Sequence, residues 1–287
     1  MTTTHHDDLQ LAERSIQANG IDIHYIEAGH GTPLLLVHGG LVSTNPIWGD
    51  VPVSYYSHMS TLAQRFRVIA PDTRGCGRTA HPGGTVTFDL LADDVLALID
   101  VLGLDRPLIA GFSEGGITAT VVAIRGPESV RAVVNDAGYD LLNPAAPSFA
   151  MMRQMLGGSP TAAEADPDAA AAFFEQSNHM RALFALMKAD QDSGQGDGYW
   201  REYLRLAFHR TTEPPGYTVA DLARVTRPTL ILGGDRDEFC TVEDAVAAYQ
   251  ALPVGELAIV PATPHVITPA TVGQMIEFFE RQLDEPS

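Results

Sequence analysis

Six short, mostly apolar runs, at 34–37, 68–70, 108–110, 130–134, 229–232 and 257–260, constrain this chain more than any other feature. A strand buried on both faces shows no polar alternation, so runs of this length read as strands inside a parallel sheet. Between them lie amphipathic patterns at 88–102, 117–124, 242–252 and 272–283. In the first, Leu90, Leu91, Val95, Leu98, Ile99 and Leu102 recur at helical spacing. Two earlier strands, 15–18 and 21–27, flank Asn19-Gly20, a strong hairpin signal. Strand alternating with helix predicts an α/β fold, a mainly parallel central sheet with helices on both faces. Ligands of such sheets bind beyond the carboxyl ends of the strands, so chemistry is expected in the loops that follow them.

The alternation breaks between residues 140 and 217. This stretch holds Met151, Met152, Met155, Met180 and Met187, helical patches at 173–178, 181–189 and 200–209, and breaker-rich loops at 157–160 and 193–198. It is expected to be a helical lid inserted over the strand ends, leaving 1–139 and 218–287 as the core. Its Met151, Met152, Met155, Phe173, Phe174, Phe184 and Met187 suit either an apolar substrate group or the lid's own core, since methionine adapts to irregular shapes. The stretch 42–58, with Pro46, Trp48, Pro52, Tyr55 and Tyr56, either reshapes the entrance or packs on the first helix.

A formal net charge of −18 disfavours nucleic acid and anionic membrane surfaces as partners. A small-molecule substrate, in part apolar, is the expected partner. The polar, acidic start of the chain shows no signal-peptide pattern, and no run is long enough for a membrane helix. With Cys76 and Cys240 as the only cysteines, no disulfide framework follows, and a reduced, cytoplasmic setting is expected.

The run 108–110 leads into Gly111-Phe112-Ser113-Glu114-Gly115-Gly116, followed by a helical pattern. A serine hydroxyl is a poor nucleophile without a base beside it and access to substrate. A sharp strand-to-helix turn gives that access, and the glycines allow strand and helix to approach closely. Ser113 is therefore the candidate nucleophile. Of ten histidines, only His265 follows a late buried strand and precedes the last helix, which makes it the candidate base. For the acid that orients the imidazole, Asp237 in Gly233-Gly234-Asp235-Arg236-Asp237 is favoured, with Asp235 bracing that loop. Asp136, at the end of the strand after the nucleophile's helix, is the alternative acid. Oxyanion donors are expected from the backbone N–H groups of Glu114 and Gly40, the latter in His38-Gly39-Gly40, with His38 holding that loop.

Taken together, the chain resembles the α/β-hydrolase superfamily over nearly its whole length. The resemblance is carried by His38-Gly39-Gly40, Asp72-Thr73-Arg74-Gly75-Cys76-Gly77, the Gly111–Gly115 turn, Gly234-Asp235-Arg236-Asp237 and His265, in the order Ser, Asp, His. It implies an α/β-hydrolase fold and acyl transfer, without a cofactor. Relatives of this kind include esterases, lactonases, perhydrolases and carbon–carbon bond hydrolases. Haloalkane dehalogenases and epoxide hydrolases are similar too but carry Asp as nucleophile, which Ser113 argues against. The expected activity is therefore cleavage of a small carboxylic ester or lactone. The alternatives are carbon–carbon bond hydrolysis of a diketone-type substrate and a non-catalytic binding member of the fold. No metal-ligand pair at zinc spacing is present, so no metal is expected.

Overall fold

The protein is described by a computed structural model, which covers residues 11–45, 51–155, 166–176, 178–211 and 215–284. Its strands are β1 (Ala12–Ala18), β2 (Ile21–Ala28), β3 (Pro33–Val37), β4 (Arg67–Pro71), β5 (Leu108–Phe112), β6 (Val133–Asp136), β7 (Thr229–Gly234) and β8 (Gly255–Val260). They form one sheet in the order β1-β2-β4-β3-β5-β6-β7-β8. The β1–β2 hairpin and the β2–β4 pair are antiparallel, and every pairing from β4 onward across the sheet is parallel. Asn19 and Gly20 both have positive φ, as the tight β1–β2 turn requires.

Every residue of β5, β6 and β7 is buried. Successive side chains of a strand point to opposite faces, so these strands are covered on both sides. The helices α1 (Met59–Ala63), α2 (Phe88–Val101), α3 (Glu114–Arg125), α8 (Val242–Ala251) and α9 (Pro269–Asp284) supply that cover. α2 packs on α3, α3 lies along β5 and β6, and α8 and α9 both reach β7 and β8.

Between β6 and β7 come α4 (Pro147–Met155), α5 (Pro167–Phe174), α6 (Asn178–Gln195) and α7 (Trp200–Thr211). They enclose a second apolar cluster, distinct from the sheet core, built on Phe174, Phe184, Met187, Trp200, Tyr203 and Leu204. Phe174 stacks on Phe184 with centroids 4.9 Å apart, and Phe184 meets Trp200 edge-on.

Three expectations shift. The strand read at 130–134 begins only at Val133, after a short 3-10 turn at Pro127–Ser129. The helical patch read at 173–178 is the end of α5, which stops at Phe174. The loop read at 193–198 begins after Gln195, because α6 runs through Gly194. A Cβ on Gly194 would lie 1.9 Å from the Gly77 carbonyl oxygen. This glycine therefore lets α6 press against the loop after β4 and does not end the helix. The loop expected at 157–160 lies outside the described residues.

Candidate active site

β5 ends in the turn that carries Ser113. The serine has φ 53° and ψ −118°, an unfavourable conformation for a residue with a side chain. The surroundings enforce it: Ser113 N–H donates to the Asp136 carbonyl at 2.7 Å, and its own carbonyl accepts from Gly116 N–H at 2.8 Å. Gly111 and Gly115 admit no side chain. A Cβ on Gly111 would lie 1.9 Å from the Gly115 carbonyl, and one on Gly115 would lie 2.1 Å from that of Val37. Behind the turn, the Asn135 side chain donates to Thr120 Oγ1 and accepts from Gly138 N–H, both at 2.9 Å.

His265 stands in the loop after β8. Its Nδ1 is hydrogen-bonded to Asp237 Oδ2 at 2.8 Å, and the Asp237 side chain is almost fully buried. Asp237 Oδ1 accepts from the backbone N–H groups of Phe239 (2.8 Å) and Cys240 (2.9 Å), so both carboxylate oxygens are held. The rings of Phe112 and Phe239 lie 4.8 Å from the imidazole and restrict its rotation. Asp235 Oδ1 accepts from Thr263 N–H at 3.3 Å and ties the acid loop to the histidine loop. Ser113 and His265 line the same cavity but share no hydrogen bond in this conformation. Such contacts often close only on substrate binding.

Asp136 is also buried, beside Asp237 but without a bond to His265. Burial, and then the charge of Asp237, push its carboxyl well above the usual carboxylate range. Tyr55 OH faces Asp136 without reaching hydrogen-bond geometry. A carboxyl kept neutral has no charge with which to stabilise an imidazolium. Of the two acids, Asp237 is the one in contact with His265.

The other wall comes from the loop after β3. His38 Nε2 accepts from Thr73 N–H at 3.0 Å, and its Nδ1 lies 2.7 Å from the Gly39 carbonyl, so the ring braces the loop. Gly40 and Glu114 both line the cavity. Glu114 and Leu41, the residue after Gly40, are also gripped from α7. Tyr203 OH accepts from Leu41 N–H at 2.8 Å, and Arg210 Nε donates to Glu114 Oε1 at 2.9 Å in a fully buried ion pair. These two α7 contacts escaped the sequence, where nothing links Tyr203 or Arg210 to glycine loops far away in the chain.

The cavity holds about 590 Å³. Its apolar walls include Met151, Met152, Met155 and Phe173, which also pack in or against the second cluster, whereas Phe174, Phe184 and Met187 belong to that cluster without lining the cavity. Val42, Pro52 and Val53 reach it from the 42–58 stretch, while Tyr55 packs into the core. Asp140 is a polar wall residue the sequence did not single out. Burial raises its carboxyl above the usual range, and it accepts from Cys240 Sγ at 3.2 Å. Asp237, Cys240 and His265 offer ligand atoms within 4.8 Å of one another. The first and last are already bonded together, and burial pushes the Cys240 thiol far up, so this donor set does not favour a cation. Cys76 is likewise a buried free thiol. Among the described residues no helix is long and apolar enough to cross a membrane.

Curated relatives span several chemistries. The chain is 38% identical over 113 residues to haloalkane dehalogenase 2 of Mycobacterium tuberculosis, covering 39% of this chain and 37% of that one. It is 34% identical over 125 residues to a 2-hydroxy-6-oxo-6-(2'-aminophenyl)hexa-2,4-dienoic acid hydrolase of Metapseudomonas resinovorans, covering 42% and 41%. These matches thus span about two-fifths of each relative. Two solved structures superpose with a TM-score of 0.72. A meta-cleavage product hydrolase from Pseudomonas fluorescens IP01 is 21% identical, covering 93% of this chain and 97% of that one. A thermophilic esterase from Thermogutta terrifontis is 22% identical, covering 96% and 100%. The alpha/beta hydrolase fold family matches residues 32–269, a span that includes every strand-end loop described above. This chain belongs to the α/β-hydrolase fold family.

Proposed function

We propose that the protein hydrolyses a small carboxylic ester or lactone through an acyl-enzyme on Ser113. The observation that carries this reading is the 2.8 Å His265–Asp237 bond in a cavity shared with a serine on a strained strand-to-helix turn. His265 Nε2 takes the Ser113 proton as Oγ attacks the carbonyl carbon. Charge then builds on the carbonyl oxygen, where the N–H groups of Glu114 and Gly40 stabilise it at the positive end of α3. Collapse of the tetrahedral intermediate breaks the bond to the leaving oxygen, which receives the proton from His265. Water, deprotonated by His265, releases the acid and restores Ser113. Asp237 stays ionised throughout and fixes the imidazole tautomer.

The helices between residues 140 and 217 act in this reading as a lid, because they bring Met151, Met152, Met155, Phe173, Met180 and Leu183 to the cavity that Ser113 lines. The test is partitioning of the acyl group. With a phenyl ester as substrate, added methanol should divert acyl groups to the methyl ester while phenol release continues. Phenol release with no transfer to methanol at any concentration would count against an acyl-enzyme. A second reading, carbon–carbon bond hydrolysis, is favoured by the likeness to the dienoic acid and meta-cleavage product hydrolases.

A further inference from the structure

Among the described residues, three carboxyl groups line the cavity above Ser113. Glu114, Asp140 and Glu238 line it, the last exposed to solvent. No lysine or arginine lines it among the described residues. Residues 1–10, 46–50, 156–165, 177, 212–214 and 285–287 contain neither lysine nor arginine. The Arg210 guanidinium is buried and paired with Glu114, which lines the cavity. Lys188, the chain's single lysine, sits over the Trp200 and Phe184 rings.

We infer that this cavity selects substrates whose distal end is uncharged, and rejects those carrying a second carboxylate. The inference rests on the cavity being the substrate site of the function proposed above. A carboxylate moved from water to this wall needs a counter-charge or several donors; beyond the turn and His265 the wall offers only the neutral donors Ser148 and Gln176, and the methionines and Phe173 provide none. Glu238 at the mouth adds repulsion, as does the chain's overall negative charge. The reacting carbonyl is different, because its transient charge meets backbone N–H groups at the turn. The acid released by hydrolysis is itself an anion with no cation to hold it, so the same wall favours its departure. Selection of this kind sets the protein apart from any hydrolase of a dienoic acid, whose substrate carries a carboxyl group by name.

Matched ketones test this without depending on which bond is cut. Titration calorimetry at pH 7.5 should give 1-phenylhexan-1-one a Kd at least about tenfold lower than 6-oxo-6-phenylhexanoate, which differs only in its terminal carboxylate. Met152→Arg, which brings a cation to the wall, should narrow that gap. Equal binding, tighter binding of the anion, or a gap untouched by Met152→Arg overturns the inference. Turnover of phenyl hexanoate is read separately. If the ketones discriminate as expected while the ester is not cleaved, the charge selection stands and the ester reading fails.

Discussion

Asp136 and Asp237 are neighbouring buried acids, and their hydrogen-bond partners divide their roles. The Asp237 carboxylate accepts from two backbone N–H groups and is bonded to the imidazole, whereas burial and the charge of Asp237 push Asp136 toward its neutral form. Asp237→Asn should therefore lower kcat by roughly 10⁴-fold, through loss of the tautomer that can accept the serine proton. Asp136→Asn should change it less than about tenfold, and steady-state kinetics on one ester decide between them. A larger loss in Asp136→Asn would exchange their roles. The same difference has a stability signature. Above about pH 4 the unfolded chain gives up the Asp136 proton while the folded chain keeps it. Over that window the folded state binds more protons, so stability falls as pH rises, by up to about 1.4 kcal/mol per pH unit. Asp136→Asn removes this contribution. Urea unfolding at pH 5 and pH 7.5 should show a smaller loss of stability in the variant than in the parent chain, and equal losses would show that Asp136 ionises normally.

At the scale of elements, α7 holds both halves of the proposed oxyanion site, through Tyr203 to Leu41 and Arg210 to Glu114. Arg210→Met leaves a buried carboxylate unpaired and should cost about 3–5 kcal/mol in urea unfolding. Removing both charges, with Glu114→Gln added, should recover most of that. Failure to recover would mean that Arg210 supports α7 by packing alone. Gly194 makes a sharper case. Alanine in a helix interior is ordinarily better than glycine by about 1 kcal/mol. Here the added methyl meets the Gly77 carbonyl, so Gly194→Ala should lower Tm, and a higher Tm would contradict the close packing of α6 on the 75–77 loop. These elements also mark where the sequence stops being readable. The Gly111–Gly115 turn is legible because a strand, two glycines and a helix are adjacent in the chain. The grip of α7 is not, since Tyr203 and Leu41 are 162 residues apart and only the folded arrangement brings them together. Gly194 looked like loop chemistry because a glycine needed for contact and one needed for a turn are the same letter.

Across the whole molecule, parallel strands are joined by helical crossovers, and the apolar runs locate the buried strands to within a few residues. What patterning left open was the cavity, because residues from segments spread between 40 and 266 meet there and periodicity carries no information about which ones face inward. All four of Met151, Phe173, Met187 and Phe184 take part in the second cluster and read alike in sequence, yet only Met151 and Phe173 line the cavity. That second cluster is smaller than the sheet core. Amides of α4 and α5 should accordingly exchange hydrogen through openings of lower free energy than those of β5 and β6. Uniform protection in native-state exchange would show the two cores opening as one. Most direct of all is the site of covalent attack. Incubation with a fluorophosphonate followed by peptide mapping should place a single adduct on Ser113, absent in Ser113→Ala and slowed by several orders of magnitude in His265→Ala. An adduct on any other residue, or labelling that persists without Ser113, would contradict a nucleophile at the Gly111–Gly115 turn.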